Sequence, residues 1–288
     1  MARAPKPDVP RPEVAVPTVL LAVALASMWG LATWGALSLG WSAWATVPVH
    51  AFAMFGMFTV LHDAAHRGTG RAKWASEVLG RVAILFVAPY GSFPMFRFLH
   101  LAHHGHVNEG SDVDPDDWVT HGPTWQLPLR WPFVDLRYLA FWLRRAKDRP
   151  LDELAETVAL FVTVLGGMGL VVAAGYGAEL LVVFVVPHRI MLFVLSWWFD
   201  WLPHHGLEDT NRTDRYRTTR NIIGLEWLLT PVLFGQNYHL LHHLHPIIPF
   251  YRYVQAWRQD EEEHLALGPA LATPTGRKLD PDEVRRAA

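Results

Sequence analysis

Twelve of the 16 histidines in this chain fall in four short windows: His62 and His66; His100, His103, His104 and His106; His204 and His205; His239, His242, His243 and His245. The spacings carry the chemistry. His62 and His66 form an i, i+4 pair, and the triplets His100/His103/His104 and His239/His242/His243 are each i, i+3, i+4, positions that share one face of a helix. Imidazoles stacked in this way can converge on a cation, and two triplets plus a pair offer more nitrogens than one metal accepts, so two metals are implied. A tetrahedral zinc site takes about four ligands and would leave most of these histidines idle. Imidazole suits iron as well, and of the two only iron brings redox chemistry with oxygen. The carboxylate pattern of soluble di-iron bundles is missing, so spacing alone leaves the metal open. A zinc protease is excluded, because Asp63 stands where the H-E-x-x-H helix needs its base Glu, and the other histidines would be unexplained.

The elements that must position these windows are read from charge and hydropathy. Residues 17 to 61 are 45 consecutive positions without Asp, Glu, Lys or Arg, and residues 157 to 199 are 43 positions interrupted only by Glu179 and Arg189. No soluble core needs such runs. At about 1.5 Å per helical residue, 45 residues span roughly twice the ~30 Å hydrocarbon core, so each run is expected to be a hairpin of two spans. This predicts an all-α integral membrane protein with transmembrane helices at about 17–39, 44–62, 155–174 and 178–199 and a helical cap carrying the histidine windows. Of the 25 basic residues, 24 lie outside the two runs and none lies in either hairpin turn. The positive-inside rule then puts the turns outside and both termini, the middle segment and all four histidine windows on the cytoplasmic side of the cytoplasmic membrane.

Residues 1–16, with four prolines, read as a disordered cytoplasmic arm, and 260–288 as a charged, solvated tail, leaving 17–259 as the domain. The apolar run after residue 16 is too long for a cleaved signal and is expected to be an anchor. Val82 to Phe96, broken by Pro89, Gly91 and Pro94, is too short to span and is expected at the interface or re-entrant. Arg189, in mid-span, needs a cavity or a partner: a substrate tunnel, Glu179 or the backbone on the Asp63 side. His50 reads as a packed polar residue and the tryptophans as interfacial belts. A net charge of −2 gives no electrostatic case for nucleic acid, and zero cysteines remove disulfides, iron–sulfur clusters and thiolate haem.

With these boxes in this order, and with the same two-hairpin interruption, the sequence resembles the membrane fatty-acid desaturase and hydroxylase superfamily over about residues 45 to 257. The stretches Arg97 to Asn108 with Asp114-Pro-Asp116, Trp197 to His204, Gly235 to His243 and Ile248 to Tyr253 look most like the cyanobacterial type of β-carotene hydroxylase. The resemblance implies two irons held by His62, His66, His100, His103, His104, His204, His239, His242 and His243. It also implies a role for Asp200, which stands where the desaturase pattern Asn-x-x-x-His has its Asn. His106, His205 and His245 sit beside the boxes and are not carried over. A ligating imidazole usually gives its other N–H to a carboxylate or carbonyl, so Asp63, Asp112, Asp114, Asp116 and Asn237 are candidates to orient the ligands, Asn237 with Asp200 standing nearest the chemistry.

The activity this implies is hydroxylation of the β-ionone rings of a carotenoid such as β-carotene, with O2 as co-substrate and a lipid-soluble substrate entering from the bilayer. The alternative is a fatty-acyl desaturase on the same ligands, because both reactions begin by removing hydrogen from an unactivated C–H bond. A third reading, a non-redox metal-binding membrane protein, would place histidines along the spans, where only His50 and His188 lie. No flavin or nicotinamide fingerprint is present, so electrons are expected from a ferredoxin-like donor, with Arg137, Arg144, Arg145, Lys147 and Arg149 as a basic face for it or, more simply, as the positive-inside anchor of the third span.

Overall fold

In the computed structural model, which describes residues 4–287, the first apolar run is broken at 39–42 into α1 (Val16–Ser38) and α2 (Ala43–Ala65). Gly40 takes a φ of +64° at the turn, a conformation that costs glycine little, and Ser42 caps α2 by accepting the Trp44 N–H at 3.2 Å. The helix α2 runs past the expected end at 62, so His62 stands within it and His66 at its C-cap.

Next come α3 (Lys73–Val87) and α4 (Phe93–His106). The stretch expected at the interface is thus the end of one helix, a break, and the start of another. Pro94 falls in the first turn of α4, where its missing N–H costs nothing, and Ser92 accepts the Met95 N–H at 3.1 Å. A short helix, α5 (Val134–Leu143), precedes α6 (Leu151–Ala173) and α7 (Gly177–His204). Two π-helical turns, Leu181–Val185 and Ser196–Trp201, interrupt α7 close to Pro187 and Pro203, whose missing N–H groups disturb the regular ladder.

The helices α1, α2, α6 and α7 are the four that are long and apolar enough to cross a membrane among the described residues. Their surfaces differ. On α6, Leu170 is 74% exposed and Val162 63%, a row that lipid covers at no cost and water does not. The central helix α2 instead buries Met54, Met57 and Leu61 against Leu25 of α1, Ile84 of α3 and Met191 of α7. Gly56 permits this approach, since a Cβ there would stand 2.7 Å from Leu25 Cδ1.

Beyond α7 the chain departs from the all-α expectation. A small sheet joins β1 (Arg220–Ile222), β2 (Ala270–Ala272) and β3 (Lys278–Leu279) in that order, β1 and β2 parallel with Asn221 opposite Leu271. Between β1 and β2 lie α8 (Glu226–Val232) and α9 (His239–Leu244). The segment expected to be a solvated tail therefore supplies two of the three strands and buries Leu265 and Leu271. Its Glu run masks these apolar positions in composition.

The expected arm is packed too. Pro12 and Glu13 carbonyls accept the Arg71 and Ala72 N–H groups at 2.9 Å, Ala15 donates to the Thr69 carbonyl at 2.7 Å, and the Arg11 guanidinium donates to the Arg67 and Gly70 carbonyls at 2.8 Å. Prolines hold this arm extended in advance, which lowers the entropy lost on docking.

Candidate metal centre

The residues expected as ligands come from three separate helices and one helix end. His62 and His66 stand at the end of α2, His100, His103 and His104 on α4, His204 at the last residue of α7, and His239, His242 and His243 on α9. The structure brings all nine together in two adjoining groups. In the first, one ring nitrogen from each of His62, His66, His100, His104 and His242 lies within 4.8 Å of every other. His242 Nε2 is 2.9 Å from both His62 Nε2 and His104 Nε2. In the second, His103, His204 and His243 meet the same limit, and His239 Nε2 joins them at 3.1 Å from both His204 Nε2 and His243 Nε2.

This donor set fits metal ions. Nitrogens facing one another across 2.9–3.1 Å compete for protons that neutral imidazoles do not have in sufficient number, whereas a shared cation satisfies every lone pair at once. His66 Nε2 and His100 Nε2 are buried in the first group with no hydrogen-bond partner among the described residues. Burial, together with neighbouring imidazoles, pushes His66 down to about 3 and His100, His104, His239, His242 and His243 well below their ordinary value. Neutral imidazole is the ligating state.

His103 is the exception. Burial opposes its protonation, but the Asp116 and Asp114 carboxylates outweigh that and push it up to about 9. Its Nδ1–H points at Asp114 Oδ1 at 2.9 Å, which leaves Nε2 for a metal. Asp114 is itself steadied by the Asn108 and Asp116 backbone N–H groups at 3.1 and 2.9 Å, and Asp116 accepts the Tyr138 hydroxyl at 2.5 Å. On the first group, Tyr253 bonds His242 Nδ1 at 3.0 Å.

Other expectations are met differently. Among the described residues Asp63 touches no imidazole by hydrogen bond; it accepts the Thr18 hydroxyl at 3.4 Å and the Phe250 N–H at 3.3 Å, tying α1 and a remote loop to the end of α2. Asp112 accepts the Arg145 guanidinium on its backbone carbonyl. Asn237 is buried and donates to Thr230 Oγ1 at 3.3 Å, and among the described residues no hydrogen bond joins it to an imidazole. Asp200 borders an apolar cavity beside His100 and Asp116. Arg189 pairs neither with Glu179 nor with the backbone near Asp63: it binds Asp135 at 2.7 Å and Tyr90, both of which line that cavity. His50 is packed, 3.0 Å from Thr33 Oγ1, while His106 pairs with Glu109 and His205 stacks on Trp201.

Three supporting residues were not foreseen. Asn221 Oδ1 accepts the Leu240 and Leu241 N–H groups and so caps α9, Tyr138 steadies Asp116, and Tyr253 steadies His242. Only the contacts made after folding distinguish them from ordinary polar and aromatic residues. A turn at Gly235 sets the entry to α9: φ is +76°, and a Cβ there would stand 2.7 Å from the Phe250 carbonyl oxygen.

The sequence profile described as "Fatty acid desaturase" matches residues 39–273. The chain belongs to the fatty acid desaturase family. It is 32% identical over 203 residues to a protein named beta-carotene ketolase from Paracoccus sp. (strain PC1), covering 68% of this chain and 72% of the relative. A second beta-carotene ketolase, from Paracoccus sp. (strain N81106 / MBIC 01143), is 29% identical, with 72% and 79% covered. The dihydrorhizobitoxine desaturase of Bradyrhizobium elkanii is 28% identical, with 68% and 61% covered. As a member of this membrane di-iron family, the chain is an oxidoreductase of the oxygenase or desaturase kind.

Proposed function

We propose that this protein is a membrane di-iron oxygenase that hydroxylates the β-ionone ring of a carotenoid. The reading is carried by an apolar cavity lined by Phe58, Leu192 and Leu195 of the spans and bordered by His100 and Asp200, an approach to the imidazoles suited to a lipid-soluble substrate. The names of two relatives, both beta-carotene ketolases, favour a carotenoid over an acyl chain.

His62, His66, His100, His104 and His242 would hold one iron, and His103, His204, His239 and His243 the other. Bound there, the irons supply the activation of O2 and the removal of hydrogen from an unactivated C–H bond, with electrons delivered from outside the chain. The protein's share is positioning. Asp114 holds the His103 ring in one tautomer and Tyr253 does the same for His242, while Phe58, Phe96, Leu195 and Phe199 keep water from the cavity. Asp200, at the cavity wall, would place a proton or a water beside the reacting carbon.

The turns at 39–42 and 174–176 carry no Lys or Arg, which supports both termini and the imidazoles lying on the cytoplasmic side. Arg137, Arg144, Arg145, Lys147 and Arg149 on that side would receive an acidic ferredoxin-like donor. Expression in a carotene-producing bacterial host, followed by pigment and fatty-acid chromatography, tests the function with His103→Ala as control. Hydroxylated β-carotene is expected from the wild type alone. Unchanged pigments with new double bonds in the lipids would assign a desaturase instead.

A further inference from the structure

Two cavities flank the imidazoles on the side of the spans. The larger, of 60 Å³, lies among α3, α4, α5 and α7 and ends at His100, Asp116 and Asp200. The smaller, of 10 Å³, lies among Phe55, Trp198, Ile222 and Leu233 and ends at Asn237, whose buried Oδ1 has no hydrogen-bond partner among the described residues. Phe199 is the residue they share. Its ring stands edge-on to His62 at 5.0 Å and to His239 at 4.8 Å, one imidazole from each group, and to Phe58 at 4.7 Å.

Neither cavity receives a ring as it stands: an apolar cavity that binds benzene measures about 150 Å³, against 60 Å³ for the larger one. A substrate carbon lying against both imidazole groups must occupy the space that the Phe199 ring now fills. The backbone there is suited to movement. Phe199 sits in the π-helical turn Ser196–Trp201, where the Leu202 N–H reaches back to the Trp197 carbonyl, and Pro203 has no N–H to give the Phe199 carbonyl.

We propose that Phe199 is the specificity gate of this centre. Swung aside, its ring joins the two cavities into one bent tunnel, and the reacting end of a ring-terminated apolar lipid takes its place beside His62 and His239. The Asn237 Oδ1 at the far arm then accepts a hydrogen bond from a hydroxyl on that ring or from a water carried with it. This deepens the proposed function and rests on the imidazole groups being the oxidising centre.

Binding to zinc-loaded full-length protein, which cannot turn over, isolates the gate from catalysis. The probes are β-carotene and dioleoylphosphatidylcholine, read by quenching of tryptophan fluorescence, with Trp198 and Trp201 beside the gate. Relative to wild type, Phe199→Ala should bind β-carotene about tenfold more tightly and Phe199→Trp about tenfold more weakly, both with wild-type zinc content. In the iron-loaded enzyme, Phe199→Ala should also change the oxidised position on the ring. Affinities of both variants within about twofold of wild type overturn the gate, because a single methylene in a pocket ordinarily does more. So does loss of zinc from both variants, which would make the ring a mere buttress for the imidazoles. If wild type binds the phospholipid and ignores β-carotene, the carotenoid reading falls, and the same fold-changes read on the phospholipid still decide the gate.

Discussion

The first imidazole group draws five rings from α2, α4 and α9, and the side-chain hydrogen bond steadying it from outside is the neutral Tyr253 hydroxyl on His242. The second draws its rings from α4, α7 and α9 and sets His103 against two buried carboxylates, Asp114 and Asp116, at 2.9 and 3.4 Å. As metal sites, one group would rely on the number of its imidazoles, the other on charge. Negative charge behind a ligating imidazole raises its basicity, so the second group should hold its cation more tightly per ligand. The two halves of one centre are therefore expected to respond differently to the same kind of change.

The sharpest way to break that contrast is to remove a ligand from each side. His242→Ala deletes the ring whose Nε2 lies 2.9 Å from two others, and activity should fall more than about a hundredfold with loss of metal from the first group. His204→Ala should do the same for the second group alone. Metal analysis checks both, and retention of a full complement in either variant would remove that residue from the ligand set.

A milder change tests the charge. Asp114→Asn keeps the shape and removes the carboxylate, and should cost about 10–100-fold in metal affinity or activity, confined to the second group. Tyr253→Phe removes a neutral partner from the first and should cost less than about tenfold. Equal losses in the two variants would erase the distinction between ligand number and charge.

The smallest effect is in pH. In metal-free protein, His66, held at about 3 chiefly by burial, contributes stability that is complete above about 6.5 and lost as pH falls toward 3. His103, pushed up to about 9, contributes stability that is complete below about 6.5 and lost as pH rises through 9. Thermal unfolding across pH should show His66→Asn flattening the acid side of the profile and His103→Asn the alkaline side. The same flattening in both variants would contradict the opposite charge states.

Much of this architecture is legible in the chain because lipid and metal impose strict local patterns. A charge-free run of 45 residues has few alternatives to a pair of spans, and i, i+3, i+4 histidines have few uses other than a shared cation. Where the pattern is weak, composition misleads. The Glu-rich C-terminal segment and the Pro-rich N-terminal one look unstructured in composition, yet Leu265, Leu271, Arg11 and Ala15 dock them onto the domain. Arg189 finds Asp135, 54 residues away, a partner that no helical spacing could nominate.

By itself, the sequence determined which histidines are spaced to share a cation and which segments are apolar enough to span, since both depend on spacing and composition along the chain. Only the tertiary structure decided that nine imidazoles divide into two groups, that Asp114 and Asp116 stand behind one of them while Asp63 bonds Thr18 and Phe250, and that Phe199 lies between two cavities. Those facts depend on distances between segments that are remote in the chain, and such distances exist only once the helices have packed.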